Sequence, residues 1–261
     1  GFELMREFLE DAIRHQDAGQ GRHQKDLIRE LPKRFYKSVD VAETDGVFTV
    51  LLDGRVTKTP TGKQVGVGHA DLAARMREEW DAQGDRIDPD MMPHVKLINS
   101  AVEAGEESRA ALLDEVVKYA GNDLLLYRAD SPRELVEKQE QIWDDVLVRI
   151  ARHFSVSFQP TVGIVHRAQS PDMLKKLRGA IEPLHHVPAT AMVSVTGLTG
   201  SGLLAIGLRE QLVDADAAWT AAHVDEDYQI SLWGEDYEAA ARRRQRRLEF
   251  DAAVNVIKLL A

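Results

Sequence analysis

From Arg34 the chain alternates apolar and polar residues through Arg34-Phe-Tyr-Lys-Ser-Val-Asp-Val41, the period of a half-buried strand. Three turn signals follow closely, Asp45-Gly46, Asp53-Gly54 and Thr61-Gly62. They separate the runs 47–52, 55–60 and 63–67, and turns so spaced predict an antiparallel meander. One face of such a meander needs a cover. Residues 70–83 supply it, with Leu72, Met76 and Trp80 at every fourth position, on one face of a helix.

Residues 87–93 carry Pro89 and Pro93, exclude regular helix, and read as the passage between two domains. Beyond them the pattern is mostly helical. Helices are expected over 95–104 and 109–120, the second stopped by Gly121-Asn122. Ser131-Pro132 followed by Glu134 has the chemistry of a helix start, with serine as N-cap and a capping box, for a helix running to Phe154. Residues 156–165 read as an irregular or edge strand, because Pro160 and Gly163 interrupt them. Ser170-Pro171 repeats the capped start for a helix to Glu182. The apolar run 191–195 fits either a strand or a helix turn, and Ser201 caps a helix through Leu204, Leu208 and Leu212 that extends toward Val224. At the N-terminus, Phe2, Met5, Leu9, Ala12 and Ile13 share one side of an amphipathic helix, and 17–26 is a polar linker.

The fold class expected is therefore α+β. An N-terminal antiparallel β-meander with its covering helix (32–93) follows a helix and linker (1–31) and precedes a mainly helical, orthogonal bundle-like domain (94–261).

Composition narrows the function. The chain has 261 residues and a formal charge of −10, from 33 Lys+Arg against 43 Asp+Glu, which argues against nucleic acid as the main partner. It has no cysteine, hence no disulfide, thiol nucleophile or Cys-ligated zinc. No apolar run approaches the length of a membrane span, so no membrane insertion is expected. Glu3, Glu7, Glu10 and Asp11 are unlike a targeting segment, and a cytoplasmic location is expected.

The densest chemistry is Asp225-Glu-Asp-Tyr-Gln-Ile-Ser-Leu-Trp-Gly-Glu-Asp-Tyr-Glu-Ala239, followed by arginines at 242, 243, 244, 246 and 247. Gly234 separates two helical patterns, and acid before base suits the dipole of the second helix. Such carboxylates can hold a metal, move protons or face a partner. His223 and Asp227 are the best metal pair by spacing, and a metal-assisted hydrolase using the carboxylates of 225–238 is the rival reading. Gly197-Leu-Thr-Gly-Ser-Gly202 resembles a phosphate loop but lacks the lysine of the Walker pattern, so a turn with a helix cap is the plainer reading. Gly-x-Ser-x-Gly is absent. No cofactor and no metal are expected.

Several pieces together resemble the assembly chaperones that bind the alpha subunit of the catalytic head of F-type ATP synthase. They are Arg34-Phe-Tyr-Lys37, Leu52-Asp-Gly-Arg55 with Thr59-Pro60, Glu79-Trp-Asp-Ala-Gln83, Ile87 with Pro89, and Met92-Pro93. Asp123-Leu-Leu, Tyr127-Arg-Ala129, Gln139 with Trp143, Gly163-Ile164 and Trp233-Gly-Glu-Asp-Tyr-Glu-Ala239 complete them. Their order and spacing carry the resemblance. Leu126 in place of a frequent cysteine and His94-Val95 in place of Leu-Thr depart from it. The resemblance implies a chaperone without enzymatic activity that holds the free alpha subunit, preventing its aggregation, until the beta subunit replaces it. It places an important acid at Glu238. Asp236 and Glu226 are expected to join Glu238 at the partner, whereas Trp233 and Tyr237 are expected more often as core or hinge residues than as contacts. Subunit handover favours a monomer.

Overall fold

The structure, a computed structural model, describes residues 31–261. The expected N-terminal helix over 2–13 and the linker 17–26 lie outside the described residues. Strands β1 (Val39–Thr44) and β2 (Val47–Leu52) form an antiparallel hairpin in which Val39 faces Leu52 and Thr44 faces Val47. Asp45 and Gly46 turn between them with φ of 52° and 78°, the left-handed pair that matches strand twist in a tight hairpin. β3 (Arg55–Val56) adds on the other side of β2, giving the order β1-β2-β3.

Two expectations about this sheet change. The strand expected from Arg34 begins at Val39, because the residues before it run toward the end of the first helix. Lys33 bridges to Arg86, and the Arg34 N–H donates to the Asp85 carbonyl. The fourth run of the meander shrinks to single bridges, Lys58 with Gln64 and Val67 with Phe48, as it leaves β3 after Val65 and crosses to β2 at Val67. The cover is as expected: α1 (Ala70–Asp81) buries Leu72, Ala73 and Met76 over β1 and β2.

The helical part opens with α2 (Pro93–Ala104), with proline at its first turn, and α3 (Arg109–Gly121). A 3-10 turn, Leu124–Leu126, leads into β4 (Tyr127–Arg128), which pairs in parallel with β5 (Thr161–Val162). That two-residue pairing is all that survives of the strand expected over 156–165, between Pro160 and Gly163 at φ 85°. α4 (Arg133–Gln139) passes through a π turn (Glu140–Asp144) into α5 (Asp145–Phe154). Ser131 does not cap α4. Pro132 is the extended cap residue (φ −72°, ψ 166°), which leaves Ser131 one position too early, and its hydroxyl turns to Asp130 instead.

Ser170 does cap α6 (Pro171–Ile181), accepting the Met173 N–H. The ambiguous run 191–195 is the middle of α7 (His186–Thr199), the central helix, which packs on α2 and α3 and on two later helices. Everything from Pro188 to Thr196 is buried. Its polar residues survive there because Thr190, Thr196 and Thr199 donate back to the carbonyls of His186, Met192 and Val195 at 2.7–2.8 Å. The helix capped by Ser201, α8 (Gly202–Arg209), ends sooner than expected. Gln211 turns at φ 57°, and Asp214 caps a separate α9 (Ala215–Ala222). α10 (Val224–Trp233) and the long α11 (Tyr237–Leu260) complete the chain. α11 packs on α7 and α2 and reaches α1, so one buried cluster runs from Tyr36 to Ile257.

Candidate functional site

The acidic stretch folds as an elbow between α10 and α11. Gly234 takes φ 81° and ψ 172°, a conformation essentially reserved to glycine, and so forces the two helices to break there. Asp236 (φ −81°, ψ 132°) is the N-cap of α11 and accepts the Ala239 N–H at 3.1 Å. Glu235 and Asp236 therefore precede the helix instead of lying within its first turn; only Glu238 does.

The inner carboxylates are committed to this chain. Asp225 accepts from Gln139 Nε2 at 2.7 Å, which ties α10 to α4. Asp227 takes a guanidinium N–H of Arg243 at 2.5 Å. Glu226 sits between Arg246 at 3.5 Å and Arg243 at 3.9 Å. The outer acids are differently placed. Glu238 is 83% exposed and has only Arg242, at 3.9 Å, beside it among the described residues. Leu232 is 53% exposed, and Trp233 and Tyr237 are each 81% exposed, which rules out the core half of their expected core-or-hinge role. Gly234 turns these rings outward because neither adjoining helix covers the break. The structure thus brings Trp233, Asp236, Tyr237 and Glu238 to one exposed elbow, while Glu226 lies apart against α11.

The rival sites are filled by the protein itself. His223 is buried, and its Nδ1 pairs with the Trp219 carbonyl at 2.6 Å. Nδ1 therefore carries the proton, and Nε2 accepts from Arg246 at 3.3 Å. Burial, with Arg243 and Arg246 close by, pushes its pKa down, so the ring is neutral. His223 and Asp227 are thus each spent on a different arginine, and no three potential metal ligands converge among the described residues. At 197–202, Gly200 (φ 75°) ends α7 and Ser201 caps α8. The anion position at the start of α8 is occupied by Asp123, whose carboxylate accepts the Leu203 N–H at 2.9 Å and the Leu125 N–H at 3.1 Å. Burial lifts the Asp123 carboxyl to about 7 against the pull of hydrogen bonds from Ser201, Leu203, Leu125 and Gly202.

The remaining sequence pieces hold the frame. Glu79 caps α2, accepting the His94 and Val95 N–H groups at 3.1 and 2.9 Å. His94, one of the departures noted above, joins Glu79 at 3.2 Å to Asn255 of α11 at 3.1 Å. The Trp143 indole donates to the Ala221 carbonyl at 2.7 Å, and Gln139 also accepts the Ala129 N–H. Exposed Phe35 (71%) and Ile164 (97%) belong to these pieces too, and nothing in hydrophobic patterning distinguishes them from core residues. No helix among the described residues is long and apolar enough to cross a membrane.

Comparisons with known proteins agree with this frame. The family model described as ATP12 chaperone protein matches residues 33–151. Protein atp12, mitochondrial, of Schizosaccharomyces pombe is 21% identical over 214 residues, 77% of this chain and 74% of that protein. The crystal structure of Atp12 from Paracoccus denitrificans is 32% identical and superposes with a TM-score of 0.79 over 87% of this chain and 98% of that one. The Agrobacterium tumefaciens protein Atu1473 is 34% identical, with a TM-score of 0.84 over 99% and 98% of the two chains. The chain belongs to the ATP12 chaperone family, the ATP synthase assembly chaperones that its sequence resembles.

Proposed function

We propose that this chaperone binds the free alpha subunit of the ATP synthase catalytic head through the elbow at Gly234 and keeps it from aggregating until the beta subunit takes over. One observation supports the elbow above the rest of the surface. Two aromatic rings stand 81% exposed beside Glu238, while the neighbouring acids Asp225, Glu226 and Asp227 are already paired. Exposed aromatic residues next to uncommitted charge suit a partner that is apolar in part and basic at its rim. A separated subunit of an alternating ring presents such an interface, and its exposed apolar area is an aggregation hazard until covered. Glu226, held by two arginines, acts in this reading by fixing the elbow against α11.

No enzymatic step enters the proposal, and the chaperone works as a monomer in the compartment where the subunits fold. The test is Glu238→Lys. Its side chain is nearly free in solvent but lies in the first turn of α11, four residues before Arg242, so the reversed charge costs about 1 kcal/mol of stability and leaves the protein folded. Capture of purified alpha subunit falls at least about tenfold. Normal capture by the folded variant excludes Glu238 from recognition.

A further inference from the structure

Phe35, Tyr36 and Trp80 form an aromatic ladder beside the sheet, edge to face, with centroids 5.2 and 5.7 Å apart. Its middle rung is fixed. The Tyr36 hydroxyl donates to the Trp80 carbonyl at 2.6 Å, and the Arg34 guanidinium lies 4.5 Å over its ring. Arg34 is fixed in turn by the carbonyls of Tyr36, Asp81 and Gln83. Phe35 is the solvent end of this rigid stack. It opens onto a groove of about 920 Å³ that Leu52, Arg55, Thr57, Lys58 and Trp80 also line.

The polar side of the groove is unevenly used. Asp53, an acid on its rim, accepts the Lys37 and Ser38 N–H groups at 2.9 Å and the Ser38 hydroxyl at 3.2 Å. Arg55 and Lys58 are exposed and have neither an ion pair nor a side-chain hydrogen bond among the described residues. Thr57 is only 7% exposed, yet its Oγ1 has no hydrogen-bond partner. In a chain of charge −10, two uncommitted cations beside a preorganised ring stand against the overall field.

We propose that this groove is a second polypeptide-binding site, which takes an extended acidic segment carrying an aromatic or large aliphatic side chain. It rests on the chaperone reading only in taking a polypeptide as ligand. The apolar side chain packs on Phe35 and Trp80, which lose little freedom because the ladder already fixes them. Carboxylates of the segment face Arg55 and Lys58. β3 is the last strand of its ladder, and although the chain past it is already paired, Thr57 with Val65 and Lys58 with Gln64, Arg55 and Val56 leave a short open edge for an extended ligand. Single-stranded nucleic acid, which also uses aromatic and basic groups, needs a continuous cationic track that two residues do not make.

The test is fluorescence anisotropy of labelled peptides with the full chain at low and high salt. One peptide has Asp and Glu around Phe and Leu; a second replaces every acid by Lys; an oligothymidylate serves as a third probe. The acidic peptide is expected to bind and to weaken with salt. Arg55→Glu with Lys58→Glu, and separately Phe35→Ser, each reduce its affinity at least about tenfold, while Glu238→Lys leaves it unchanged. All these positions are exposed, so thermal unfolding confirms folded variants. Equal binding of the basic peptide, tighter binding of the oligonucleotide, or acidic-peptide binding untouched by the groove variants overturns the proposal. So does sedimentation showing a dimer that Phe35→Ser dissociates, since a second copy then covers the groove. Because no alpha subunit is present, a negative result here leaves the elbow reading standing, and the reverse holds for Glu238→Lys.

Discussion

Asp227 and Arg243, sixteen residues apart, meet across the Gly234 elbow with oxygen and nitrogen 2.5 Å from each other. That pair, with Glu226 beside it, sets the angle at which α11 leaves α10. Both side chains are partly open to solvent, so the interaction is screened, and a double-mutant cycle of Asp227→Ala and Arg243→Ala is expected to give a coupling of about 1 kcal/mol. Urea denaturation of the four proteins measures it. Raising the salt should shrink the coupling, and a value indistinguishable from zero at low salt would sink the elbow-setting role.

Asp236 caps α11 and, in the proposed reading, also offers charge to the partner, and the two duties are separable. Asp236→Ser keeps a capping oxygen and removes the charge, so stability should change by only a few tenths of a kcal/mol while alpha-subunit capture weakens. Asp236→Ala loses both and costs about 1 kcal/mol. Equal capture by the serine variant and the parent assigns Asp236 to the cap alone.

Two helical glycines make opposite predictions for the same substitution. A Cβ on Gly202 meets the Val116 carbonyl oxygen at 2.1 Å and the Ala120 nitrogen at 2.8 Å, both backbone atoms. Gly202→Ala is expected to destabilise by about 1–3 kcal/mol or more, as α8 must move off α3. A Cβ on Gly179 in α6 meets nothing within 4 Å, and Gly179→Ala should stabilise by about 0.5–1 kcal/mol. Calorimetric Tm values decide, and a neutral Gly202→Ala contradicts the close packing of α8.

Asp123 makes stability depend on pH in an unusual direction. Its folded carboxyl is lifted by burial to about 7, above its unfolded value, so between roughly pH 4 and pH 7 the native state keeps a proton that the unfolded chain has released. The stability from that proton is complete at the acid end of the window and declines as pH rises through it, by up to about 1.4 kcal/mol per pH unit. Asp123→Asn removes the titration, lowers stability where its amide faces the Leu203 or Leu125 N–H, and should flatten the slope in that window. An unchanged slope assigns the pH dependence to other groups.

Much of the frame was legible in the chain because it is written locally. Ser170 and Ser201 cap as their spacing predicts, and Leu72 and Met76 fall on the buried side of α1. Where the outcome depended on distant residues, pattern was silent. Ala191–Val195 sits in a helix buried on every side, so no polar face marks its period. The links from Gln139 to Asp225 and from Asp123 to Leu203 join residues 86 and 80 positions apart, and local periodicity carries no trace of them. At the elbow, family resemblance singled out Glu238, while the exposure of Trp233 and Tyr237 was not legible, because an aromatic residue is usually core and these two flank the break at Gly234.

The exposed rings at the elbow have a cost for the chaperone itself. Trp233, Leu232 and Tyr237 are the kind of exposed apolar side chains by which identical molecules clump. Glu235, Asp236 and Glu238 surround them with one sign of charge. Two elbows approaching each other meet like against like, whereas a basic surface meets no such barrier. If the elbow is the client site proposed above, the acids would filter as well as hold, separating self from client by electrostatic repulsion that weakens as the ionic strength of the surroundings rises.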